Sequence, residues 1–135
     1  MAGSLTDTME VDVLKALTGQ ATSILPTAAL SAVYVALVTT TPSDSAAGTE
    51  VSGGSYARVD SVVKWAAPSA GSVSTNAAIT FPTASADWGT VVGFNLFDAS
   101  SGGNRIGWGT FAVSKSVLSG DTASFASGQL TITLD

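Results

Sequence analysis

Carboxylates carry most of the chemistry this chain could offer. Ten Asp and Glu residues stand against five Lys and Arg, and there is no His and no Cys. Without those two residue types, most nucleophile–base pairs and all thiolate metal sites are ruled out. Two carboxylates could still hydrolyse a glycosidic bond, but nothing in the spacing brings a pair together. Asp44, Asp87, Asp98 and Asp121 sit in turn-like contexts of small residues, where Asp caps its own backbone. Residues 98–104, DASSGGN, hold oxygen donors without the carboxylate density of a calcium loop, so they read as a hairpin turn. Gly53-Gly54 and Gly102-Gly103 lack the Lys-Ser/Thr pair and helix of a phosphate loop. Trp65, Trp88 and Trp108 could form a sugar-stacking platform, but large aromatics in a small protein more often anchor a core or an interface. No catalytic residue, metal or cofactor is expected.

The hydrophobic pattern describes the scaffold that would hold these residues. Asp7 and Glu10 have the spacing of a capping box, and Met9, Val13, Ala16 and Leu17 recur at helical spacing before Gly19. This predicts one helix over about 8–18, with Met9, Val13 and Leu17 packed on a sheet. From residue 30 onward the signals are those of strands. Residues 30–38 are apolar on both faces, which predicts a central or doubly covered strand. Residues 56–65 place Val59, Ser61, Val63 and Trp65 on one face. Further strands are expected over 77–81, 90–98, 105–111, 114–118 and 123–125. A short one is expected near Val73, and another is expected where Leu130, Ile132 and Leu134 alternate with threonines. Gly107 and Gly109 around Trp108 suggest a bulge or a close backbone approach. The predicted fold is mainly β: a single domain over 1–135, a sandwich or barrel of about seven strands with one short N-terminal helix.

Composition limits the partners. Charged residues make up only 11% of the chain against 45% apolar, and the net charge is −5. Average soluble proteins carry roughly 25% charged residues, so Ser and Thr must supply much of the polar surface. The five cations, Lys15, Arg58, Lys64, Arg105 and Lys115, are scattered. That spacing disfavours nucleic acid and anionic membranes, which need several cations in one footprint. Residues 1–7 lack the basic segment of a signal peptide, and no apolar run approaches a membrane span. Synthesis in a cytoplasm, without redox chemistry, is expected.

Several segments together resemble a family of small tailed-bacteriophage virion proteins. They are VYVALV at 33–38 with TPSD at 41–44, GTEVSGGSYAR at 48–58, AITFPT at 78–83, DWGT at 87–90, FNLFD at 94–98, SGD at 119–121 and LTITL at 130–134. The resemblance implies a non-enzymatic structural role in the virion. The first expectation is a capsid decoration (cement) protein on the outer surface, bound to the major capsid protein and trimeric by analogy with such proteins. An acidic, lysine-poor chain suits that surface better than a DNA-facing one. The alternative is a tail-tip or tail-fibre-associated protein, and a third reading is a carbohydrate-binding module. Residues 39–55 are too long for a simple connector, and they hold only Asp44 and Glu50 as charges. They are therefore the expected attachment segment, with Thr41, Pro42, Ser43, Asp44, Glu50, Val51, Tyr56 and Arg58 as partner-binding residues. On this reading, shortening the loop leaves the fold intact.

Overall fold

In the computed structural model, which describes residues 7–22, 30–43 and 45–134, one helix precedes eight strands. The helix α1 is Asp7–Leu17. The strands are β1 (Tyr34–Val38), β2 (Val59–Asp60), β3 (Ser72–Ser74), β4 (Ile79–Thr80), β5 (Gly89–Phe97), β6 (Arg105–Val117), β7 (Ser124–Phe125) and β8 (Thr131–Thr133). All pairings are antiparallel. A four-stranded sheet, ordered β2-β1-β5-β6, shares one apolar core with two ribbons, β3-β8 and β4-β7. The predicted β-rich architecture with an N-terminal helix is present. Of the two closures considered, the barrel does not form, and among the described residues β2 and β6 are the edges of the four-stranded sheet.

Six aromatic rings fill much of the core as a continuous chain. Trp88 meets Tyr56 edge-on at 5.3 Å, Tyr56 stacks on Phe81 at 6.1 Å, and Phe81 meets Phe125 at 6.3 Å. Phe125 then contacts Phe111 at 5.3 Å, and Phe111 stacks on Phe94 at 6.1 Å. In a chain rich in Ala, Ser and Gly, these rings provide the volume and the preferred edge and offset geometries that fix how the layers meet.

The helix ends where Gly19 predicts. Gly19 takes φ +76°, Gln20 N–H donates to Lys15 O at 2.7 Å, and Gly19 N–H donates to Ala16 O at 3.4 Å. This is a Schellman stop. The rotation of the helix differs from the expectation. Leu14 is fully buried, whereas Val13 and Leu17 are half-buried; the Met9 side chain lies outside the described residues. Leu14 sits about 100° around the helix from Val13. The inward stripe includes polar Asp12 and Thr18, both buried, and Thr18 Oγ1 donates to Leu14 O at 2.8 Å. A pattern that counts apolar residues misses a stripe built this way. Leu14→Ala is expected to cost about 2–4 kcal/mol in urea denaturation. A loss under about 1 kcal/mol would mean the helix does not depend on that contact.

Two strand boundaries also moved, each through turn chemistry. The expected strand over 56–65 is reduced to the two-residue ladder Val59–Asp60 and an isolated bridge from Trp65 to Thr75. Asp60 Oδ1 accepts from Val62 N–H at 3.0 Å, and Lys64 N–H donates to Ser61 O at 2.9 Å. The chain turns there and leaves Val63 83% exposed, while Ser61 and Trp65 stay buried. Conversely, the two strands expected over 105–111 and 114–118 are one strand, β6, because register shifts let it bend instead of ending. Gly109 is required by close packing: a Cβ there would fall 2.6 Å from Phe94 Cε1.

The neutral surface is organised by paired hydroxyls. Ser74 with Thr131 (2.8 Å), Thr80 with Ser124 (2.9 Å), Thr83 with Thr122 (2.7 Å) and Thr90 with Ser116 (3.3 Å) bond across neighbouring segments on exposed faces. Such cross-strand pairs contribute roughly 0.2–1 kcal/mol each, which is how a surface poor in charge is still held in register.

Candidate functional site

β1 is buried on both faces, and residues 39–50 explain why. Its inner residues Val35 and Leu37, with Val33 just before the strand, join the core. Its outer residues Ala36 and Val38 are paired with Asn95 and Gly93 of β5, and both are 0% exposed. The segment after β1 folds back over that outer face. Thr39 N–H donates to Thr49 O at 2.8 Å, and Val51 N–H donates to Leu37 O at 3.0 Å. Pro42 lies over Gly93, close enough that a Cβ at Gly93 would sit 3.3 Å from Pro42 Cδ. Asn95 Nδ2 donates to Ala47 O at 2.7 Å, and Arg105 Nη1 donates to Ala46 O at 3.2 Å. The segment is a strap across the sheet rather than a free arm.

Arg58 fastens the strap's base. Its Nε and Nη2 donate to Glu50 Oε1 and Oε2, each at 2.8 Å. Its Nη1 donates to Ala99 O at 2.9 Å and Gly102 O at 2.8 Å, and the guanidinium lies 3.7 Å from the Phe97 ring centroid. Bonding to Glu50 raises the guanidinium above its ordinary pKa. Tyr56 completes the cluster: its hydroxyl accepts from Leu37 N–H at 2.9 Å and donates to Glu50 Oε1 at 3.0 Å. Burial pushes that phenol well above its usual range, and Glu50 adds to the effect, so Tyr56 stays a neutral donor. The arrangement is a planar fork gripping a carboxylate, with Nη1 donating to two backbone carbonyls.

Three of the eight predicted partner-binding residues, Glu50, Tyr56 and Arg58, are therefore brought together, and they are engaged internally. Pro42 and Val51 are buried, Ser43 is half-buried in the strap, Thr41 is exposed at its surface, and Asp44 lies outside the described residues. Sequence reasoning missed Phe97, Asn95 and the Ala99 and Gly102 carbonyls that complete the cluster. Their sequence distances from Arg58 and the strap leave no local signal.

The turn aspartates behave as backbone caps. Asp87 and Asp121 accept from Ser119 N–H at 2.8 Å and Leu118 N–H at 3.0 Å. Asp98 accepts from Asn104 Nδ2 and the Asn104 N–H, and these bonds, side chain first, hold its carboxyl below the usual range. Among the described residues, no three acidic groups cluster as a metal site would require.

Among the described residues, the largest concentration of exposed apolar side chains lies on β6 and just past its end. Of the four large hydrophobics that are exposed among the described residues, Trp108 (41%), Val113 (82%) and Leu118 (53%) all fall there. Beside β6 opens a cleft of about 870 Å³, walled by Phe94, Phe111, Phe125 and Leu130, with Lys115 and Asp121 also on its lining. The three tryptophans do not form a common platform, because Trp65 and Trp88 are 4% and 5% exposed within the core.

A family model described as podophage GP4 fiber I protein gp80 matches residues 4–133. No curated protein matches the chain. The match spans the helix and every strand. The chain belongs to this family of tailed-phage virion fiber proteins.

Proposed function

We propose that this protein is a non-enzymatic attachment component of the phage fibre apparatus, and that it docks on a neighbouring virion protein through the outer edge of β6. The concentration of exposed apolar side chains on β6, which has no partner strand on its outer side among the described residues, carries the reading. A 13-residue edge strand offers a row of backbone donors and acceptors that invite a partner strand. Trp108 and Val113 provide the apolar contact, and the cleft provides a recess for partner side chains. The fiber family supports the tail-fibre alternative over the capsid-cement reading. Residues 39–55 remain the competing attachment surface: Glu50, Tyr56 and Arg58 bind one another, while Thr40, Thr41, residues 45–49, Ser52 and Gly53 stay exposed.

The test is binding of purified protein to phage particles that lack it. Val113→Lys places a charge on an exposed edge position and should leave thermal stability within about 0.5 kcal/mol. Binding to fibre-bearing tails should fall at least tenfold. Full-strength binding by V113K would remove β6 from the attachment surface. Recovery of the protein with separated heads instead of tails would restore the capsid reading.

A further inference from the structure

We propose that residues 39–50 open as a unit, well short of global unfolding, and that the Glu50–Arg58 pair governs how often they do so. The two halves of that pair are held unequally. Arg58 is fixed by the Ala99 and Gly102 carbonyls and by the Phe97 ring, none of which belongs to the strap. Glu50 belongs to the strap, bridged to Val38 at its base. Arg58 is therefore a stationary catch, and Glu50 is the part that leaves it.

The surface under the strap makes release inexpensive. Pro42 rests over Gly93, and the next β5 residue on that face is Asn95, whose amide donates to Ala47 O. Its cross-strand neighbour is Ala36. Hydrophobic resistance to opening scales with the apolar area returned to water; Gly93, Ala36 and Asn95 return little, and Val38 and the strap's own Pro42 are the larger apolar groups that opening exposes. Water can replace the strap's carbonyls on Asn95 and Arg105. The inner face of the same sheet, by contrast, carries Val35, Leu37, Phe94 and Leu96 in the main core. Local opening follows such divisions between weakly and strongly apolar contacts.

Amide-resolved hydrogen exchange by NMR on the full chain tests this. The Thr39 and Thr49 amides should exchange at least tenfold faster than the hydrogen-bonded amides between β1 and β5. Glu50→Gln should speed the strap amides by a further factor of about ten, the size expected when hydrogen bonds to a charged group are weakened. The β5 amides should not change. A single rate and a single urea dependence for strap and sheet in the native protein would overturn the proposal. So would equal acceleration of both by E50Q, or no acceleration of the strap. If E50Q does not fold, the native comparison still decides the first point, and E50D, with its shorter reach to Arg58, replaces it for the second.

Discussion

Trp88→Ala should cost the protein about 3–5 kcal/mol, while Trp108→Ala should cost about 1 kcal/mol or less. The two residues look alike in sequence, each an indole beside glycine in a β-rich stretch. In the fold, Trp88 is 5% exposed and Trp108 is 41% exposed. Trp88 ends the chain of aromatic rings against Tyr56, and its indole N–H donates to Gly54 O at 2.9 Å. Alanine there removes a ring the surrounding layers cannot collapse to replace. Gly54 O keeps one donor, Ser85 N–H at 3.0 Å, so the loss comes mainly from packing. Urea denaturation of both variants checks the contrast. Comparable losses for the two would show that Trp88 is not a core anchor.

The second large effect belongs to Arg58. Arg58→Ala should destabilise by about 2–4 kcal/mol, somewhat below or within the range for breaking a buried ion pair. The side chain of Arg58 is 7% exposed, while that of Glu50 is 31% exposed, so water partly rehydrates the abandoned carboxylate. The cost has three sources: the two bonds to Glu50, the two bonds to carbonyls of residues 99 and 102, and the stacking on Phe97. Arg58→Lys keeps the charge but cannot reproduce the fork or the stacking, and it should recover less than half of the loss. Equal stability of R58K and the native protein in thermal melts would mean that charge alone matters at this position.

These contacts change the meaning of residues 39–55. Loop length by itself adds little to the cost of folding, and on that ground the segment could be shortened freely. What decides the matter is what the segment covers. It keeps Ala36 and Val38 from water and contributes Glu50 to the Arg58 fork. Its contribution therefore lies in tertiary contacts, which length-based reasoning omits.

The sequence by itself determined the elements and the absence of imidazole and thiol chemistry. Alternation at Leu130, Ile132 and Leu134, the apolar run at 33–38 and the stop at Gly19 act through neighbouring residues, and period and turn chemistry are local properties of a chain. The sequence also placed Glu50, Tyr56 and Arg58 in one candidate group, since all three fall within nine residues. Only the tertiary structure decided which tryptophan is buried, which helix face turns inward and which sheet edge stays open. It alone joined Arg58 to residues 41 and 44 positions away. Those outcomes depend on strand order and on polar residues such as Thr18, Asp12 and Asn95 finding partners at burial. A polar side chain reads as outward-facing until the fold supplies the group that satisfies it.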